Sequence, residues 1–494
     1  MNSALRTTAK VAALALAFVS YVVHAGSDSP AMPAPAKLDL TLDRASLPEP
    51  GDPPKLSSGQ ALTAQERTPA KNYWLPGLEI VAFDVLLNRF DHAFMGDEYD
   101  VSASSIRRNL RSSWDTDRDP FAINQFLHPY QGAVYFGLAR SAGLNYWESF
   151  AYTFAGSIFW EIAGETTPPA KNDQITSGIG GTFLGESLYR LSNLILERDT
   201  YLSPFWREAA AAAVAPSAAF NRYAFGERFN TIFASGNPAY YRSLHVGARS
   251  TRNVRGNLRK IDDRAAVVDF SIDYGLPGKP GYTYHRPFDY FMLQVAASTA
   301  SGVESVTNRG LLIGRPYELG NSYRGVWGLY GGYDYLANEL FRVSSTALSV
   351  GSTAQWWLSN NVALQVTGTV GIGYNATGTV RDGNERDYRY GTAPQGLASL
   401  RLIMGNQAAL DLSARKYFVG NTTLPNGSGR DHVVQADAAF TFRVHRQHGI
   451  TLRYALSRRD RSSPQIQDLN QRQSTVGVFY TNIGSDGFGA VDWR

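Results

Sequence analysis

From about Ala239 onward, apolar and polar side chains alternate along one segment after another. In the clearest, Leu364, Val366, Gly368, Val370, Ile372 and Tyr374 share one face, and Gln365, Thr367, Thr369, Gly371 and Gly373 share the other. Neighbouring side chains of a strand point to opposite faces, so this segment has one greasy face and one small, polar face. The same reading predicts strands near 239–249, 264–275, 287–298, 302–314, 325–336, 340–357, 362–375, 395–404, 407–419, 431–445, 448–459 and 473–484. Most approach the 9–11 residues that cross a bilayer at a tilt, and their number, about twelve, is even, as single-chain bacterial barrels require.

Connections alternate in length. Residues 405–406 and 446–447 are tight turns, whereas 376–389, 420–430 and 460–472 are longer and polar. Short turns on one side and long loops on the other are the habit of an outer-membrane barrel. In such a barrel the greasy faces meet lipid, and Asp269, Asp273, Arg401, Asp411, Arg415 and Arg453 line the lumen. A soluble periplasmic β-sandwich is the competing arrangement, because it would bury the same faces. The chain finishes Asp492-Trp493-Arg494 rather than on an aromatic residue, so Phe488 to Trp493 is expected to complete the last strand after a bulge.

Upstream the period changes. Between Leu78 and Phe229, apolar stretches of helical length predict helices near 78–90, 128–142, 146–164, 174–197 and 204–224. Gly178, Gly181 and Gly185 are spaced for close helix–helix approach. Residues 26–75, rich in Pro, Ser, Ala and Asp, show no sustained period and read as a disordered leader. The expected fold class is therefore α+β. Its parts are a helical domain over 76–230 and an antiparallel transmembrane β-barrel over 236–494.

The first residues supply a location. Arg6 and Lys10 precede an apolar run, Val11 to Val23, which ends in Val23-His24-Ala25. This is the pattern of a signal peptide over 1–25, with cleavage after Ala25, Sec export and an outer-membrane destination in a Gram-negative bacterium. The sequence contains no cysteine, which excludes a disulfide scaffold and any Cys-based nucleophile or metal site. A net charge of +4 is small for this length and gives no support to a nucleic-acid partner. Aromatic residues make up 12% of a chain whose mean hydropathy is only −0.25, a balance that suits barrel strands better than spanning helices. The expected partners are outer-membrane lipid and, during biogenesis, the barrel-assembly machinery. A small-molecule ligand is left undefined.

Candidate chemistry lies between Trp114 and Ser192. The run Asn124-Gln125-Phe126-Leu127-His128-Pro129-Tyr130-Gln131-Gly132 is followed by Tyr146-Trp147-Glu148-Ser149, Trp160-Glu161 and Asn172-Asp173. Over about residues 105–192 these elements resemble domain of unknown function 3943, a bacterial family. The resemblance implies an envelope protein and assigns no activity. A looser likeness, to VanZ-like helical proteins, rests on the order His128, Glu161, Asp173 with Gly181 and Gly185 following. The aspartate–lysine pair that usually precedes that histidine is missing here.

Physically, His128, Glu148, Glu161 and Asp173 stand at or inside the ends of adjacent apolar helices. Converging there, they could act as general acid and base, ligate a metal or ligand, or cap and cross-link helices. The chain has no phosphate-binding loop, dinucleotide fingerprint, H-E-x-x-H or G-x-S-x-G, so no cofactor or metal is expected. The leading expectation is an outer-membrane barrel with a structural or transport role and a helical unit that plugs, caps or recruits. The alternative is an envelope enzyme acting on lipid or glycan through the His/carboxylate residues.

Overall fold

In the computed structural model, the residues described are 71–494 except 95, 198–202, 226–234, 256–261, 380–385, 387, 421–428, 464–465 and 485. The signal peptide and nearly all of the leader expected from the sequence lie outside them.

Twelve strands, each paired antiparallel to its sequence neighbours, close into a barrel when β1 (Tyr240–Arg255) pairs with β12 (Ile466–Ile483). Between them come β2 (Asp262–Tyr274), β3 (Phe291–Ser298), β4 (Gly302–Leu319), β5 (Tyr323–Ala337), β6 (Phe341–Trp357) and β7 (Val362–Thr379). The rest are β8 (Tyr388–Met404), β9 (Ala408–Val419), β10 (Arg430–His445) and β11 (His448–Ser463). Every predicted strand is present, and closure leaves no free sheet edge.

The alternation falls as the sequence requires. Ser243, His245, Asp269, Ser271, Asp273, Thr367, Arg401, Asp411, Asp437 and Arg453 face the lumen. Their neighbours of opposite parity, among them Val246, Val350, Val370, Ile372, Phe442, Ile450, Leu452, Val476 and Val478, stand exposed on the outer wall. An outer wall this apolar over a charged interior is the arrangement of a barrel in lipid.

Several strands run further than predicted, among them β1, β4, β7, β8, β11 and β12. Residues 460–472 are not a loop, because β11 and β12 extend through most of them. Their alternation is polar on both faces: Arg459 is buried in the lumen against Asp431 at 3.0 Å, while Arg458 and Arg472 face outward. A strand whose outer half rises above the lipid has no greasy face to betray it.

The expectation for the chain end is corrected. After Ile483 the chain does not resume a strand. It makes a short turn at Asp486–Gly489 and folds back into the barrel mouth. Phe488 and Val491 pack there with Tyr241, Ala363, Ile403, Ala409 and Ile483. The Val491 carbonyl accepts from Gln355 Nε2 at 2.7 Å and Trp357 Nε1 at 3.0 Å, and the Gly489 carbonyl accepts from Gln365 at 2.8 Å. Lumen-facing glutamines hold the backbone of this segment, and its apolar side chains fill the mouth.

Seven α-helices of seven residues or more precede the barrel among the described residues: α1 (Trp74–Phe94), α2 (Ala103–Asn109), α3 (His128–Ser141), α4 (Tyr146–Ala163), α5 (Gly181–Glu197), α6 (Pro204–Val214) and α7 (Pro216–Phe225). The single helix expected over 204–224 is two, because Pro216 has no N–H to continue α6 and starts a new helix instead. Helix α2 was not anticipated; at seven residues it is too short to show a period. Stretches of π-helix, Ile123–Leu127 and Gln174–Gly180, lead into α3 and α5.

Helices α3 and α5 touch backbone to backbone. A Cβ on Gly132 would lie 2.0 Å from the Ser177 carbonyl oxygen, and one on Gly181 would lie 2.6 Å from Gly132 Cα. Gly178 and Gly185 similarly admit Phe154 and Phe136. The three predicted glycines thus mark close packing.

The helical unit neither plugs the lumen nor hangs free of the barrel. It stands against the outer wall. Asn308, Tyr333, Tyr335, Ser344, Tyr374, Tyr388 and Tyr390 all alternate with lumen-facing residues and so point outward, yet they are covered by helices. Phe183 and Tyr146 stack on Phe288, Phe121 meets Tyr388 edge-on, and Phe126 packs on Tyr335. One apolar core joins Phe136, Leu184 and Leu194 of the helices to Phe270, Ile272, Tyr274, Phe291 and Leu293 of the wall.

Candidate functional site

Two polar clusters sit between helices and wall, near opposite ends of the strands. The first, at the end bearing the tight turns, is a fastening. Glu186 on α5 is fully buried and receives Arg140 Nε of α3 at 2.8 Å and Arg190 Nε at 2.7 Å. Arg190 continues to Asp289 at 3.0 Å and to the Pro287 carbonyl at 2.6 Å, in the segment leading into β3. Two carboxylates are shared by three guanidiniums here, since Arg286 Nε also reaches Asp289 at 3.3 Å, and the fork geometry of arginine lets each ion make several charge-assisted bonds.

The second cluster holds the residues singled out in the sequence. It stands at the opposite end, beside the start of β8. Three helix ends converge there: the entry to α3 with His128, the last turn of α4 with Glu161, and the turn Lys171–Asp173 that leads toward α5. Both π-helical stretches border it, one ending next to His128 and the other starting next to Asp173. Such local widening of a helix recurs at functional sites.

Asp117 is the hub, being an electrostatic neighbour of His128, Glu161 and Asp173 alike. Its backbone N–H donates to Asn172 Oδ1 at 2.8 Å, and its carboxylate accepts from Asn124 Nδ2 at 2.7 Å. Glu161 Oε2 accepts the Ala170 N–H at 2.7 Å, which ties the end of α4 to the start of the next helix. Asn172 donates to Asp173 at 2.7 Å and to Tyr390 at 2.9 Å. Gln125 also donates to Tyr390, and Asn124 to Tyr388, both at 2.9 Å; Tyr388 in turn donates to the Asp119 carbonyl at 2.6 Å. The conspicuous run Asn124-Gln125 is thus the socket for two tyrosines of the barrel wall.

The structure therefore brings His128, Glu161 and Asp173 into one buried cluster and leaves Glu148 out of it. Glu148 occupies the third position of α4, where it caps the helix reciprocally with Asn145 and pairs with Lys71 at 2.8 Å. Thirteen residues separate it from Glu161, about 20 Å along the helix. Asp117 and Glu165 belong to the cluster and were not singled out. Asp117 stands two residues from Asp115 in the run Trp114-Asp115-Thr116-Asp117, and nothing in its spacing distinguishes it from Asp115.

In the loops at this end, burial raises two carboxyls. Asp119 is pushed up to about 6, chiefly by burial, with Asp117 and Glu98 adding to the shift and Arg386 opposing it. Glu165 is pushed up to about 8 by burial, against the hydrogen bonds it accepts from Trp160 Nε1 at 2.8 Å and Thr167 at 3.1 Å. Three other buried atoms, His128 Nδ1, Glu161 Oε1 and Asn124 Oδ1, find no hydrogen-bond partner among the described residues. No group of three or more His, Asp or Glu side chains among those residues has the geometry to hold a metal ion.

A closed twelve-strand wall, apolar outside and charged within, defines an outer-membrane β-barrel protein that carries a helical unit on its wall. Residues 113–217, which include most of that unit, match the model of the family described as domain of unknown function 3943. The VanZ-like pattern gains no support. Among solved structures, the chain is similar to the NanC porin, at 8% identity over 48% of this chain and 98% of that one, with a TM-score of 0.24. It is also similar to the outer membrane channel DcaP of Acinetobacter baumannii (9% identity, 49% and 96% coverage, TM-score 0.24). The translocator domain of autotransporter NalP from Neisseria meningitidis is a third (14% identity, 49% and 89% coverage, TM-score 0.24). No curated protein matches the sequence.

Proposed function

We propose that the barrel is a non-conducting carrier, which holds the helical unit and its polar cluster against the outer wall in the membrane. The observation that carries this reading is the stoppered lumen. At one mouth Phe488 and Val491 form an apolar plug. At the other, Leu336, Leu340, Phe341, Val343, Tyr417 and Val433 pack together. Between the two, Arg401 bridges Asp273 and Asp411 at 2.7 and 2.6 Å, and Arg453 bridges Asp269 and Asp437 at 2.5 and 2.6 Å. The space left is a cavity of about 300 Å³. Ion pairs that cross the lumen tie its walls together and oppose the passage of solutes. The purified full-length chain in planar bilayers is expected to show no steady open level; a reproducible single-channel conductance would overturn the reading.

A second reading concerns the polar cluster, and the unpartnered His128 Nδ1 and Glu161 Oε1 favour it. Cross-linking of helix ends accounts for Glu161 Oε2, Asn172 and the tyrosines, and leaves those two atoms unused. On this reading they handle a proton or a small polar ligand. The test is His128→Ala beside His128→Gln, followed by heat-modifiable gel mobility and envelope integrity. Lost folding in both variants supports cross-linking alone. Intact folding with lost envelope function supports chemistry.

A further inference from the structure

We infer that the outward face of the helical unit lies in the hydrocarbon layer of the membrane, in contact with lipid acyl chains. The chain would then meet the bilayer with strands and helices together. The inference concerns the outer face of the helices and does not depend on whether the lumen conducts.

The evidence is an inversion of burial on α1 and α4. A helix on the surface of a water-soluble protein turns its apolar stripe inward and its polar face outward. On α1 the buried positions are Pro76, Ile80, Asp84 and Asn88. The exposed ones include Trp74, Leu78, Val81, Val85, Leu86 and Phe90, several more than half exposed. The inward polar groups are satisfied. Asp84 accepts from the Tyr135 hydroxyl, and Asn88 donates to the carbonyls of Tyr99 and Gly164, both at 2.9 Å. Helix α4 repeats the pattern along its middle, burying Ser149, Thr153, Gly156 and Ser157 while exposing Trp147 and Phe159; Tyr146 and Trp160 are buried at its two ends. Small and polar residues inside, with large apolar ones outside, is how helices pack within a membrane.

Three further observations commit this face to lipid. First, the helices rest on outward-pointing wall residues such as Phe291 and Tyr333, in the same sheet surface that exposes Val350, Val370 and Ile372. The apolar face of the helices continues the apolar belt of the wall. Second, the direction and length fit. The start of α1 is tied to the end of α3 by Asn72 N–H to Ala142 O at 3.1 Å, near the end with the tight turns. Its Asn88 reaches the end of α4, beside the cluster at the loop end. Its 21 residues span about 31 Å, close to the hydrocarbon thickness of a bilayer. Third, charges bracket the stripe. Lys71 pairs with Glu148 below it and Arg89 is exposed above it, whereas every fully exposed residue from Trp74 to Asn88 is apolar. No described helix is apolar enough around its whole circumference to cross a membrane alone. These need not be, since the polar side of α1 is covered by α3 and α4, and that of α4 by α3 and the π-helical stretch Gln174–Gly180.

Because the chain lacks cysteine, single cysteines test the idea directly. Leu78→Cys, Val85→Cys and Phe159→Cys place a thiol on the face and leave its buried side untouched; Arg111→Cys, exposed near the loop end, is the control. The full-length variants, checked for native heat-modifiable mobility, are reconstituted in vesicles of phosphatidylethanolamine and phosphatidylglycerol. A membrane-impermeant maleimide should label the three face positions roughly tenfold or more slower than Arg111→Cys, because hydrocarbon excludes the reagent. A fluorophore at Val85→Cys should be quenched by nitroxides on lipid acyl chains. Labelling at the control rate with no lipid quenching would overturn the inference in favour of a water-exposed face. Slow labelling without lipid quenching, accompanied by disulfide-linked dimers at Val85→Cys, would overturn it in favour of a second copy.

Discussion

At the scale of single residues, the interface between helices and wall depends on groups that tolerate little change. Gly132 has no room for a methyl group, since the obstruction is the Ser177 carbonyl rather than a flexible side chain. Gly132→Ala should therefore separate α3 from α5 and lower the stability of the helical unit by about 1–3 kcal/mol or more, read as earlier protease cleavage within residues 113–217 while the barrel stays resistant. Glu186 presents the opposite problem. Glu186→Ala would leave Arg140 and Arg190 buried without their shared partner, a loss of roughly 3–5 kcal/mol for a broken buried pair. The expected readout is a helical unit that no longer protects the outward tyrosines of the wall from modification. At this packing contact the sequence pointed to Gly178, Gly181 and Gly185 by their spacing. It could not point to Glu186 as a buried ion, because its partner Arg140 lies 46 positions away and its other partner, Arg190, is held in turn by Asp289, 99 positions further on.

At the scale of elements, strands were legible wherever one face meets lipid, and they faded where the wall rises beyond it. Residues 460–472 show the limit, for a paired strand that is polar on both sides has the composition of a loop. The helices were legible as apolar runs, but their orientation was not. Periodicity gives the angle of a stripe, and whether the stripe faces protein or lipid depends on the surroundings. For the same reason the sequence grouped Glu148 with Glu161, since one helix carries both and only its packing shows that they serve opposite ends. The loops around the polar cluster add a dependence on pH. The folded Glu165 carboxyl titrates near 8 rather than near its ordinary value of about 4.5. The folded state thus favours its uncharged form, and stability is greatest below the ordinary value and falls as pH rises toward 8. Protease resistance of the helical unit should be higher at pH 5 than at pH 9, and Glu165→Gln should flatten that profile.

At the scale of the whole molecule, barrel and helices form one body with a shared core, so neither part is expected to be native alone. A chain beginning at residue 236 would expose Tyr274, Phe291, Tyr333 and Tyr390 and the apolar surface around them. It should aggregate or lose heat-modifiable mobility where the full chain keeps it. The folded-back segment 484–494 has a mechanical consequence. It leaves the end of β12 and crosses the mouth to bond Gln355 and Trp357 on β6 and Gln365 on β7, which stand on the far side of the ring. A tube of hydrogen-bonded strands is stiff along its axis and soft toward flattening, and a chord tied across its diameter removes that softness. Spin labels placed on β6 and β12 should report a narrow distance distribution in the intact chain. Removing 484–494 should broaden it, because an untied cross-section can become oval.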